Sequence, residues 1–142
     1  MSTPHTYPSK IGLGLSLFIA IALIGTSIPM LLEQPVFWMG IAINATVALF
    51  ITYTFTNLRY SIEQETLLIR CGFLYKKSIP IHAIKRIEES RSPLSSPAAS
   101  MDRLEIIYNK FDSILISPKE KQAFIEELVK KNPEIVVLYR KK

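Results

Sequence analysis

Two uninterrupted apolar segments dominate the first 58 residues. They cover Ile11–Leu32 and Val36–Leu58, and Glu33 is the only charged residue in them or between them. A helix needs about 20 apolar residues to cross a bilayer, so each segment is long enough. A short stretch with helix-breaking residues, Pro29–Pro35, separates the two segments and predicts a tight turn. The pattern predicts a transmembrane helical hairpin (about 11–32 and 36–58) behind an N-terminal arm, residues 1–10.

Small residues recur every four positions inside both segments. Gly12, Ser16 and Ala20 form one stripe, and Gly40, Asn44 and Ala48 form the other. Such stripes allow two membrane helices to approach closely, and the Asn44 amide can form a hydrogen bond across the interface. The stripes favour packing within the hairpin over contact with another subunit.

A change to short, alternating apolar and polar runs after residue 58 predicts a β-rich domain, residues 59–142. The predicted strands are Leu58–Glu63, Thr66–Cys71, Tyr75–Ile81, Ile84–Ser90, Arg103–Tyr108 and Phe111–Ser117. A capping-box pattern from Ser117 to Glu120 then predicts a helix that ends near Lys131. Ile135–Leu138 adds a short strand. The predicted fold is membrane-anchored α+β: a two-helix hairpin followed by an antiparallel β split barrel capped by one C-terminal helix.

The distribution of charge gives the hairpin an orientation. Lys10 precedes the first segment and Arg59 follows the second, whereas the turn between them lacks Lys and Arg. The positive-inside rule therefore predicts a multi-pass protein of the cell membrane with both termini in the cytoplasm. A cleaved signal peptide fits less well, because the residues before Ile11 are nearly uncharged and no small-residue cleavage pattern follows.

The sequence lacks the residue patterns of catalysis and of cofactor or metal binding. Cys71 is the only cysteine, His5 and His82 are far apart, and no glycine-rich phosphate loop is present. We therefore expect no catalytic residues, no cofactor and no metal site. Nucleic-acid binding is also not expected, because no basic strip is interleaved with aromatic residues.

Two groups of residues outside the predicted core are candidates for contacts with partners. Residues 59–142 carry 16 basic and 11 acidic residues. Lys76, Lys77, Lys85 and Arg86 are candidate contacts to anionic lipid, and a solvated surface is the alternative. The long loop Ser90–Ser100 is either a tolerated insertion or a site for a protein partner, and in the second case Leu94 is the apolar contact and Arg91 its charged neighbour.

Three short motifs in the β-rich part resemble a known family. They are Ile79-Pro80-Ile81 with Ile84, Ser100-Met101-Asp102-Arg103-Leu104, and Ser117-Pro118-Lys119-Glu120-Lys121 with Phe124 and Leu128. Together they resemble the YyaB-like family of bacterial pleckstrin-homology-like (PH-like) membrane proteins over about residues 58–135. The resemblance implies a PH-like fold in a membrane setting, and structural roles for Asp102, Arg103, Ser117, Pro118 and Lys119.

The resemblance also bears on the ligand. In lipid-binding eukaryotic PH domains, basic residues around the first β-hairpin grip inositol phosphates, but the corresponding turn here, Glu63-Gln64-Glu65, is acidic. We therefore expect a non-enzymatic binding or scaffolding module for another protein, or for a second copy, at the cytoplasmic face. The alternatives are a regulator that contacts lipid headgroups and a structural subunit of a larger membrane complex.

Overall fold

The computed structural model describes residues 3–91 and 100–140. The strands are β1 (His5–Pro8), β2 (Leu58–Glu63), β3 (Thr66–Cys71), β4 (Tyr75–Pro80), β5 (Ile84–Ser90), β6 (Arg103–Tyr108), β7 (Asp112–Ile116) and β8 (Val136–Leu138). The α-helices are α1 (Leu13–Leu32), α2 (Trp38–Thr56) and α3 (Lys121–Lys131). A single 3₁₀ turn, Ile81–Ala83, joins β4 to β5.

Helices α1 and α2 form the predicted hairpin, and both are long and apolar enough to cross a membrane. The Asn44 amide on α2 donates hydrogen bonds to the hydroxyls of Thr26 and Ser27 on α1, each at 3.0 Å. The predicted hydrogen bond across the helix interface is therefore confirmed. The prediction that Pro29 begins the turn is wrong: its carbonyl accepts the Glu33 amide at 3.1 Å, which closes one more helical turn.

The β domain consists of two four-stranded sheets. The first has the order β1-β2-β3-β4 and is antiparallel throughout; the second has the order β7-β6-β5-β8. In the second sheet β8 runs parallel to β5, so the expected fully antiparallel arrangement is not found. Within the described residues the two sheets do not close into one barrel.

The first strand comes from the N-terminal arm, and the sequence pattern did not predict it. Residues His5–Pro8 pair with Ile62–Arg59 of β2 in antiparallel register. Because β2 begins two residues after α2 ends, both ends of the helical hairpin enter the same sheet. The arm is therefore part of the β domain.

The alternating apolar residues form the core between the sheets, as the pattern predicts. The largest fully buried side chains are Tyr60, Phe124, Leu67, Ile69, Ile79, Ile81, Ile84, Ile87, Leu104, Ile106, Ile116 and Leu128. Helix α3 contributes Phe124, Ile125 and Leu128 to this core. The apolar stripe of the predicted helix is thus confirmed.

The predicted capping box is wrong. Helix α3 begins at Lys121, and no side chain caps it. Ser117 lies upstream as a fully buried residue, and its amide donates to the Tyr60 hydroxyl at 3.1 Å. In a capping box the Glu120 side chain would bind the Ser117 amide. Here the hydroxyl of Tyr60, which is distant in sequence, binds that amide instead.

Candidate binding surfaces

A buried polar cluster joins the N-terminal arm to the segment before α3. The hydroxyls of Ser9 and Ser117 lie 3.1 Å apart, and the Tyr60 hydroxyl is 3.4 Å from Ser9. The Lys10 amide donates to the Ser117 carbonyl at 2.6 Å, and the Lys119 amide donates to the Pro8 carbonyl at 2.9 Å. Buried polar groups that are paired in this way fix one arrangement of the chain. This cluster fastens the arm to the β domain.

Two residues of the family-like motifs, Ser117 and Lys119, take part in these hydrogen bonds. Pro118 is buried and forms an isolated β-bridge with Ser9. Arg103 is also buried, and its Nε atom donates to the Ser100 carbonyl at 2.7 Å. The Asp102 carboxylate contacts the ammonium groups of Lys10 and Lys121.

Lys121 links β5 and the residue that precedes β6 to the start of α3. Its ammonium lies 2.8 Å from Asp102 and 3.1 Å from Glu89. Burial raises the pKa of Asp102, but the hydrogen bonds from Lys121 and Lys10 outweigh it, so the pKa lies below its ordinary value. The hydrogen bond from the Arg140 amide is the largest cause that lowers the pKa of Glu89, and the hydrogen bond from Lys121 lowers it further. This charged cluster is therefore paired within the chain.

A row of basic side chains crosses the outer face of the first sheet. The strand register places Arg59 opposite Arg70, and Arg70 opposite Lys76. All three residues are exposed. Like charges directly opposite each other destabilise a sheet, so this arrangement favours an anionic partner. We call Arg59, Arg70 and Lys76 the basic row.

The basic row lies at the end of the sheet nearest the helices. Its neighbouring register row is Leu58, Cys71 and Tyr75, and α2 ends at Thr56. The only ion pair of the row in the described part of the chain is Arg70 with Glu63, at 4.0 Å. Such an exposed, long pair contributes little to stability, so the row retains its positive charge for an external group.

The other predicted lipid contacts lie apart from this row. The Lys77 ammonium lies 5.2 Å from the centroid of the Tyr108 ring, and a hydrogen bond to the Tyr108 hydroxyl raises the pKa of Lys77. Lys85 and Arg86 belong to the second sheet, where Arg86 pairs with Glu88. The sequence analysis therefore named one residue of the basic row, Lys76, as a candidate lipid contact. It did not place Arg59 and Arg70 beside Lys76 on the same face.

The candidate loop contact Leu94 lies outside the described residues, and Arg91 is exposed at the edge of that gap. Ser100, at the other edge, lies against the start of α1: a Cβ on Gly12 would be 3.0 Å from the Ser100 Oγ. The described ends of the loop therefore place Ser100 beside the helical hairpin.

Two apolar surfaces are also exposed. On the edge strand β8 and just after it, Val136, Leu138 and Tyr139 are each about half exposed. Between α1 and α2, a groove of about 370 Å³ is lined mainly by apolar residues and lies beside the domain-proximal half of the hairpin. Exposed apolar clusters are typical of interaction surfaces.

Cys71 and His5 carry side chains of types that can react or bind metals, and both lie within the described residues. Cys71 is buried, and burial raises the pKa of its thiol, which opposes thiolate formation. His5 lies 3.2 Å from Glu127, so its imidazole contacts α3. Residues 3–91 and 100–140 contain no cluster of three or more metal-ligating side chains.

Comparison with known proteins supports the fold. Residues 58–132 match the bacterial PH domain, and the match runs from β2 to the residue after α3. No curated protein and no solved structure matches the chain. Because the match covers more than half of the chain, and includes strands β2 to β7 and helix α3, the protein belongs to the bacterial PH domain family.

Proposed function

We propose that the protein is a non-enzymatic binding module that two membrane-spanning helices hold at the cytoplasmic face of the cell membrane, where it recruits another protein. PH domains are generally non-catalytic binding modules. The observation that carries the proposal is the entry of both ends of the helical hairpin into one sheet, through β1 and β2. A domain fastened at two points presents its surfaces at a fixed height above the bilayer.

The first prediction concerns topology. A fluorescent protein fused after Lys142 is expected to be fluorescent, and a periplasmic phosphatase fused there is expected to be inactive, because the basic residues flank the ends of the hairpin and not its turn. The matched control is the same phosphatase inserted between Glu33 and Gln34, where it is expected to be active. Active phosphatase at the C-terminus would overturn the cytoplasmic location.

The partner surface that the structure favours is the free edge of β8. Within the described residues β8 pairs only with β5, so its other edge offers unpaired backbone groups. Val136 and Leu138 are 53% and 45% exposed beside that edge. An extended peptide can add to such an edge through main-chain hydrogen bonds, while exposed apolar side chains supply contact area.

The second prediction tests this edge in native membranes. A photo-crosslinking amino acid at Leu138 in the full chain is expected to give one discrete adduct, because an added strand would lie within reach. Val136→Glu is expected to abolish that adduct, since a charge on an edge strand opposes pairing. The same probe at Gln122, which is exposed on α3, serves as the control.

Mass analysis of the adduct identifies the partner. An adduct of twice the mass of the chain assigns the edge to a second copy, and a heavier or lighter one assigns it to another protein. Equal labelling from Leu138 and Gln122, unaffected by Val136→Glu, would contradict recruitment through β8.

Contact with anionic headgroups is the second candidate function, and the basic row favours it. Three exposed cations lie on one face at the helix end of the sheet. Each basic residue near an anionic surface contributes about 1 kcal/mol, and the attraction falls off within a Debye length. The acidic Glu63-Gln64-Glu65 turn lies at the opposite end of the same strands.

The third prediction compares lipids of different charge. In nanodiscs that contain anionic lipid, amide hydrogen exchange in β2–β4 is expected to be slower than in neutral nanodiscs. High salt is expected to remove the difference. Replacing all three residues of the basic row by Gln is expected to remove it as well, whereas Lys130→Gln on α3 is expected to preserve it. Identical exchange in both lipids would contradict headgroup contact.

A further inference from the structure

The turn between β3 and β4 carries apolar side chains at its most exposed positions. Phe73 is 86% exposed and Leu74 is 47% exposed. Polar residues, glycine and proline usually occupy such turns, because they satisfy the backbone and remain solvated. Two large apolar side chains at this place therefore indicate a surface that is not left in water.

The turn lies against the last turns of α2. The Gly72 amide donates to the Asn57 carbonyl at 3.1 Å, and the rings of Tyr53 and Phe73 have centroids 5.7 Å apart. Gly72 has a φ of +55°, and a Cβ there would lie 2.4 Å from the Tyr53 hydroxyl. Glycine thus supplies the left-handed conformation and the close approach that place Phe73 beside the helix.

The side chains around the turn change from apolar to aromatic to basic with distance from the helices, which is the order of side chains at a membrane interface. The exposed surface of α2 is apolar, for example at Leu49 and Phe50, and it continues onto Phe73. Tyr53 and Tyr75 flank the turn, and aromatic residues concentrate where hydrocarbon meets headgroups. The basic row comes next, one strand residue (about 3.3 Å) farther from the helices.

We propose that the β3–β4 turn inserts Phe73 and Leu74 into the bilayer leaflet from which the two helices emerge. The proposal rests on the membrane anchoring of the proposed function and adds a third point of attachment to β1 and β2. With three attachments the β domain is held in one orientation, so the same edges always face the cytoplasm.

The test uses a single tryptophan as a depth probe in the full chain. Trp38 is the only tryptophan, so Phe73→Trp in a Trp38→Phe background places one indole at the turn. The protein is reconstituted in phosphatidylcholine vesicles with and without doxyl-labelled lipid. We expect blue-shifted emission, quenching by a doxyl group near the headgroup, and several-fold weaker quenching by aqueous acrylamide than at a water-exposed site.

Phe111 supplies that matched site. It is 88% exposed at the β6–β7 turn, and Phe111→Trp in the same background is expected to emit in the red and to be quenched by acrylamide. Equal acrylamide quenching at positions 73 and 111 would overturn the proposal. An indole at position 73 that is shielded in native membranes but not in the vesicles would also overturn it and assign the turn to a protein partner.

The unsubstituted chain, whose only tryptophan is Trp38 at the start of α2, is measured in the same vesicles. It distinguishes a turn that does not insert from a hairpin that does not cross the membrane. If doxyl-labelled lipid quenches Trp38 but not the indole at position 73, insertion of the turn is overturned and the anchor stands. If neither is quenched, both the insertion and the anchor fail.

Discussion

Replacing Phe124 by alanine is expected to cost about 3–5 kcal/mol of unfolding free energy, because it leaves a cavity in a close-packed core. Phe124 is fully buried on α3. Its ring centroid lies 5.4 Å from Tyr7 and 6.3 Å from Tyr60, so one side chain joins the N-terminal arm, β2 and α3. Typical domains are stable by only ~5–15 kcal/mol, so this loss is a large fraction of the total.

Denaturation of the full chain in detergent, followed by near-ultraviolet circular dichroism, measures this loss. Gln122→Ala on the exposed face of the same helix is the control and is expected to change stability little. Leu128→Ala, at another fully buried position, is expected to cost ~2–5 kcal/mol. If Phe124→Ala cost no more than Gln122→Ala, then α3 would not pack on the sheets as described.

Tyr60→Phe is expected to cost ~1–3 kcal/mol, although it removes a single oxygen atom. The Tyr60 hydroxyl accepts the buried amide of Ser117 at 3.1 Å and lies 3.4 Å from the Ser9 hydroxyl. Without it, the Ser117 amide loses this acceptor in a place that water does not reach. We also expect faster amide exchange in β1, because the buried cluster fastens that strand.

Tyr75→Phe provides the comparison, since Tyr75 is an exposed tyrosine on β4. A double-mutant cycle of Tyr60→Phe with Ser9→Ala measures how strongly the cluster couples the arm to β2. Additive effects, with Tyr60→Phe no more costly than Tyr75→Phe, would show that the cluster does not hold the arm.

Much of the fold follows from local patterns in the sequence. Alternation of apolar and polar residues predicted β2 to β7, although Leu67–Ile69 and Ile114–Ile116 are buried on both faces of their strands, and the apolar stripe predicted α3. Strand β1 was beyond such reasoning: it is four residues long, includes Pro8, and pairs with a partner about 50 residues away. The helix start was also mispredicted, because Tyr60, which is distant in sequence, binds the Ser117 amide.

The basic row could have been found from the sequence. Gln64 and Glu65 form a two-residue turn, and such a turn fixes the register of the strands it joins. That register alone places Arg59 opposite Arg70. The exposed edge of β8 could not be found in this way, because its parallel pairing with β5 depends on the path of the chain after α3.

The origin of β1 also changes what counts as one folding unit. A fragment that begins at residue 59 matches the family boundary closely, but it lacks β1, Ser9 and their contacts. The outer edge of β2 is then unpaired, and unpaired edges promote aggregation. Biochemical work on the β domain should therefore use the full chain.

If α1 and α2 cross a bilayer as proposed, the pairing of β1 with β2 requires both ends of the helical hairpin to lie on the same side of it. Only the four residues from Ser9 to Gly12 connect β1 to α1, and four extended residues reach no more than ~14 Å. Insertion of one helix without the other would leave the two strands on opposite sides of ~30 Å of hydrocarbon. Insertion of a single helix would therefore prevent completion of the sheet and leave the outer edge of β2 unpaired.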